Sequence, residues 1–166
     1  MISYPSCVFP LIVRIFSLDF SATVVVKDLP GLAAYDHVNN ILYINEKLSC
    51  NQFINNQLSN GYFVAENAHD VIKHEMFHKK HWNFVMTKGD NHAKIKNDIE
   101  KELHKYVSEQ QNYDLFYISK VVSENAESSF VYSDSLNELI AEVLLQEEKG
   151  IVKDKILLKL VRGCVE

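Results

Sequence analysis

The chain opens in short apolar runs and passes into longer amphipathic ones. The early runs are β-branched and aromatic: "VFPLIVRIF" at 8–16, "TVVVK" at 23–27, "AAYDH" at 33–37 and "ILYIN" at 41–45. Runs of this length and composition, bounded by turn-forming residues, predict strands. Pro30-Gly31 and "VNN" at 38–40 supply the turns, and the short gap between the last two runs makes them a hairpin. From Glu46 the period changes. Residues 47–60 predict a short helix closing near Gly61. Asn67 can cap a second helix, with Asp70 at its third position, and Gly89 stops that helix after about Lys88. Ile95, Ile99, Leu103, Tyr106 and Val107 fall on one face of a long amphipathic helix over 92–112. Residues 115–122 are apolar with no clear period. "SENAESSFVYSDS" (123–135) reads as a loop, and 135–148 and 152–162 as two closing helices. With no repeat and no linker, the expectation is a single α+β domain over 1–166. A small N-terminal sheet containing the hairpin would pack on the 67–88 helix, with several further helices after it.

Composition narrows the class. The chain is 47% apolar and 23% charged, with five glycines and three prolines, the profile of a globular protein rather than a low-complexity one. Its net charge is −5 and its lysines are scattered. No basic footprint for nucleic acid or an anionic membrane surface is evident, and neither partner is expected. Cys7, Cys50 and Cys164 form no CxxC pair, so the sequence indicates neither a disulfide framework nor a thiolate zinc site. That favours a reducing compartment, and a cytoplasmic location is expected with secretion left open. "VFPLIVRIF" carries Arg14 and follows no basic segment, so it reads as a strand rather than a signal peptide. The opening residues also fit a domain trimmed from a longer chain.

The candidate chemistry lies in "HEMFH" at 74–78. On an α-helix, positions i and i+4 lie 40° apart and one turn up, so His74 and His78 point the same way and can place two imidazole nitrogens on one zinc ion. Glu75 lies about 60° round from His78 and can reach a water held there without itself binding the metal. Apolar neighbours Val71, Ile72, Met76, Phe77, Trp82, Phe84 and Val85 surround these polar groups. A helix apolar on most sides is a buried one, and burying two histidines and a glutamate is costly unless they have partners or a task.

A catalytic zinc usually has a third protein ligand. His81 is about 10 Å of helix rise from His74, too far to share one ion with it, and reads as a cleft-wall or surface residue. In the closing helix, Glu138, Glu142 and Gln146 form one stripe amid Leu139, Ile140, Val143 and Leu144. Spacing alone leaves two readings of that stripe. In one it faces water, with Glu138 closing a capping box with Ser135. Alternatively it faces the metal, with Glu138 as third ligand and Glu142 hydrogen-bonding a ligand histidine.

"HEMFH" followed by "NELIAE" resembles the gluzincin pattern, an HExxH helix completed by a glutamate on a later helix. "AAYDHVNNILYIN", "GYFVAENAHDVIKHEMFHKKH" and "VYSDSLNELIAEVLLQ" together resemble the small metallopeptidase domains of phage head-associated proteins and of the anthrax lethal factor group, over residues 33–148. More distantly the chain is similar to the ImmA/IrrE-type peptidases that cleave phage repressors. The resemblance implies a zincin-like fold and a zinc-dependent endopeptidase acting on a peptide or protein. It implies His74, His78 and Glu138 as ligands, Glu75 as general base and Tyr132 as donor to the oxyanion. The peptide would extend along an exposed edge, at strand 41–45 or its partner. Two alternatives stay open: a zinc-binding phage-particle domain without turnover, and a peptidase with a single protein partner.

Overall fold

The computed structural model describes residues 21–166; the strand expected over 8–16 and Cys7 lie outside the described residues. Within them the protein is α+β, with a three-stranded sheet and seven α-helices. The chain divides into two compact units. One runs through Asn60 and includes Ala65–Met76; the other comprises Gly61–Val64 and Phe77–Glu166.

In the first unit, β1 (Thr23–Lys27), β2 (Ala33–Asp36) and β3 (Ile41–Asn45) form a sheet in the order β1-β3-β2. The expected hairpin is present: β2 and β3 pair antiparallel, Ala33 opposite Ile44 and Asp36 opposite Ile41. Its turn is set by the Asp36 carboxylate, whose Oδ1 accepts from the backbone N–H of Val38 and Asn39. Asn40 then takes the left-handed conformation (φ 52°), which asparagine tolerates better than most residues. The expectation of an open edge on 41–45 is corrected here. β1 pairs with β3 in parallel, Thr23 opposite Ile41 through Lys27 opposite Asn45, so β3 is the central strand, and among the described residues the edges are β1 and β2. Its central place explains why Leu42 and Ile44 are fully buried.

Asn45 ends β3 and ties the neighbouring loop to it. Its Nδ2 donates to the carbonyls of Leu29 and Gly31, while its Oδ1 accepts from Lys47 N–H and caps the 3-10 turn Glu46–Ser49. Helix α1 (Asn51–Leu58) follows and buries Ile54 and Leu58. Helix α2 (Ala68–Thr87) starts where the sequence indicated: Asn67 Oδ1 accepts from Asp70 N–H, and Asp70 Oδ2 accepts from Glu66 N–H. Orphan donors at the helix start are thereby satisfied.

The second unit holds the rest of α2 and helices α3 (His92–Tyr113), α4 (Tyr117–Val121), α5 (Glu124–Ser133), α6 (Asn137–Lys149) and α7 (Lys155–Gly163). Residues 123–135, expected as a loop, are mostly helix α5. Ser123 caps it, its Oγ accepting from Ala126 N–H, and Ala126 and Phe130 bury its narrow apolar face. Only two of its four apolar positions are buried, and in a stretch rich in serine and glutamate they leave no periodic signal to read. Helix α6 packs against α5 and α7. Leu139, Ile140, Ala141, Val143, Leu144 and Leu145 are all buried, and cutting one of these leucines to alanine should cost about 2–5 kcal/mol. Asp154 fastens α7: Oδ1 accepts from Ile156 and Leu157 N–H, and Oδ2 accepts from the hydroxyls of Tyr106 and Tyr117. No helix among the described residues is long and apolar enough to cross a membrane.

Candidate metal centre

Helix α2 is unbroken from Ala68 to Thr87, so its backbone alone sets His78 one turn beyond His74 on the same face. His74 and Glu75 are buried, and the His78 side chain is mostly so. Glu138 comes from the first turn of α6, and its Oε1 lies 3.3 Å from His78 Nε2. The ligand atoms of His74, His78 and Glu138 fall within 4.8 Å of one another; no other such group of three occurs among the described residues. Zinc bonded at about 2.0–2.1 Å in a tetrahedral arrangement puts its ligand atoms roughly 3.3 Å apart. The His78–Glu138 separation matches that edge, and two imidazoles with one carboxylate are donors that zinc accepts. The residues fit the ion.

The stripe of α6 does not face water. Glu142 is fully buried and Gln146 nearly so. Gln146 Nε2 donates to the carbonyls of Val121 and Val122. Glu142 Oε2 accepts from Val64 N–H at 3.3 Å, and its Oε1 accepts from Asn125 Nδ2 at 2.8 Å. The same Asn125 nitrogen donates to Glu138 Oε2 at 2.8 Å. Ser135 Oγ accepts from Asn137 N–H, a local cap, while the Glu138 carboxylate is turned to Asn125 and His78.

Glu75 differs from these acids: among the described residues it has no hydrogen-bond or ion-pair partner, although only 9% of it is exposed. A buried carboxylate without a partner is costly to hold.

His81 is corrected from a cleft-wall or surface residue to a core residue. It is 3% exposed, and its Nε2 stands 3.2 Å from Glu100 Oε1, while Lys96 Nζ donates to Glu100 Oε2 at 2.8 Å. Burial alone would raise the Glu100 carboxyl, but contacts with His81 and Lys96 outweigh it and hold the carboxyl below its ordinary value. Cys164 is buried beyond this group, and its thiol is pushed up to about 12 by burial and by the Glu100 charge. Such a thiol is a packing group rather than a ligand or nucleophile.

Comparison with protein-family models, curated proteins and solved structures finds no match to this chain. The centre therefore stands on its own geometry.

Tyr132 lies in the last turn of α5, not in a loop, and is 86% exposed. With Phe116, Ser119, Glu124, Glu127, Ser128 and Val131 it lines a surface hollow of about 270 Å³, and its hydroxyl has no partner among the described residues. Sequence reasoning missed Asn125 altogether. It falls in the stretch read as a loop, and only the helical register of α5 aims it at α6.

Proposed function

We propose that the protein is a zinc-dependent metallopeptidase of gluzincin type, with a zincin-like fold and one zinc held by His74, His78 and Glu138. The observation that carries this reading is the approach of Glu138, from a separate helix, to within 3.3 Å of His78. Two histidines alone would be a motif without a site. Zinc bound there supplies Lewis acidity, lowering the pKa of a water toward neutrality and polarising a carbonyl. Three protein ligands leave one position open, as hydrolysis requires.

The remaining work falls to the chain. Glu75, adjacent to a ligand and without a hydrogen-bond or ion-pair partner among the described residues, accepts the proton of the attacking water and delivers it to the leaving amine. Tyr132, with its hydroxyl uncommitted, is the candidate donor to the oxyanion. The substrate is a peptide or protein segment. An extended peptide adds to a sheet edge through main-chain hydrogen bonds; β3 has no free edge, so its hairpin partner β2 takes that part.

Zinc content of the purified chain, measured with a peptide-library assay on wild type and Glu75→Gln, tests the reading. One zinc per chain and turnover that Glu75→Gln abolishes are expected. Zinc without turnover would favour the non-catalytic zinc domain, and absence of zinc binding would overturn both.

A further inference from the structure

Asn125 sits at the second position of α5, where its backbone N–H would be one of the orphan donors of a helix start. That N–H instead donates to the Tyr62 carbonyl at 3.0 Å. Ser123 caps the same turn and Ala126 beside it is fully buried, so the residue has little freedom to move. Its side-chain amide has two N–H groups, and both are used on carboxylates: one on Glu138 Oε2 and one on Glu142 Oε1, each at 2.8 Å. Ionised carboxylates only accept, which fixes the amide with its nitrogen, not its oxygen, toward α6. Glu138 and Glu142 lie one helical turn apart, where like charges repel, and the amide between them offsets that repulsion. Glu142 is fully buried, so it serves as the immobile end of the bridge.

We infer that Asn125 is a positioning residue of the metal centre, holding Glu138 so that it offers zinc a single oxygen. This rests on the zinc reading above. With Oε2 engaged by Asn125, Oε1 is the oxygen left toward His78. A ligand that gives one oxygen keeps a coordination position open for water. A glutamate free to rotate can close that position by binding through both oxygens, or swing away. Asn125 thus governs how many atoms the third ligand supplies, without touching the metal or substrate.

The test uses the full chain loaded with zinc or with cobalt(II), whose visible absorption is intense in four-coordinate sites and weaker at higher coordination. Asn125→Ala should weaken zinc, measured by chelator competition, by about 10- to 100-fold, as loss of a ligand's hydrogen-bond partner does. It should also reduce the cobalt band. Asn125→Asp keeps the shape but replaces the donors with a third carboxylate, and should reduce the cobalt band at least as far. Should Asn125→Ala fail to fold, Asn125→Gln carries the test, since it keeps both donors but displaces them by a methylene; a shifted cobalt spectrum is expected. Unchanged affinity and spectrum in a folded variant, with wild type binding zinc, would overturn the role of Asn125 alone. Wild type that binds no zinc would overturn the metal reading and this inference together.

Discussion

His78 Nε2 and Glu138 Oε1 meet at 3.3 Å although they belong to α2 and α6. Both side chains are largely withdrawn from solvent, so the imidazole and the carboxylate face each other rather than water. The same separation is the edge of a tetrahedral zinc site, so the proposed ion would need little movement of either side chain to be held there.

Exchanging the two glutamates of α6 separates ligand from support. Glu138→Ala should strip the zinc, read by metal analysis after dialysis. Glu142→Ala should keep it about 10- to 100-fold more weakly. It should also lower stability by about 1–3 kcal/mol, because buried donors on Val64 and Asn125 lose their acceptor. If Glu142→Ala loses the metal and Glu138→Ala keeps it, the assignments are reversed.

Glu75→Gln should leave zinc content and thermal unfolding near wild type, since Glu75 has no polar partner to lose among the described residues. Peptide hydrolysis should disappear, because the amide cannot accept the proton of water. Residual turnover near the wild-type rate would mean that another group is the base.

Tyr132 allows a clean test because it is exposed and its hydroxyl has no partner among the described residues. Tyr132→Phe should change stability by less than about 0.5 kcal/mol and leave zinc affinity untouched. If the hydroxyl donates to the oxyanion, kcat should fall by about 100- to 1,000-fold. Unchanged kcat would assign the side chain to the surface hollow alone.

Glu100 gives a stability signature in acid. Its carboxyl is lowered from the ordinary value of 4.5 because His81 and Lys96 outweigh the cost of burial. A group depressed on folding contributes stability that is present above its unfolded value and is lost as pH falls through its folded value. Wild type should therefore be more stable than Glu100→Gln at neutral pH. In urea titrations that gap should narrow below about pH 4.5. A gap that stays constant down to pH 3 would show that Glu100 does not couple to folding.

The legible parts of the sequence were those with a local signal. Asn67 and Asp70 announced the start of α2 because capping is decided within four residues. The alignment of His74 and His78 in HEMFH was legible because the helix alone sets it. Pairing of β1 with β3 was not legible, since no turn joins a parallel pair and the β1 edge carries no mark of its partner. Helix α5 hid behind its polar composition, and Asn125 with it. His81 was misjudged because the carboxylate it approaches, Glu100, lies on a different helix. The stripe on α6 was visible, but only the packing around Asn125 and Val64 told which way it faced.

The short segment Gly61–Val64 lies early in the chain yet supplies a carbonyl to Asn125 and an N–H to Glu142, the latter across 78 residues. During synthesis, then, the histidines of α2 emerge well before the helix that completes their site. A nascent or C-terminally truncated chain carries His74 and His78 without Glu138 to complete the cluster. Under the zinc-peptidase proposal, hydrolysis would begin only once α6 has packed onto residues 62–64, a delay that would spare the cell an active protease on the ribosome.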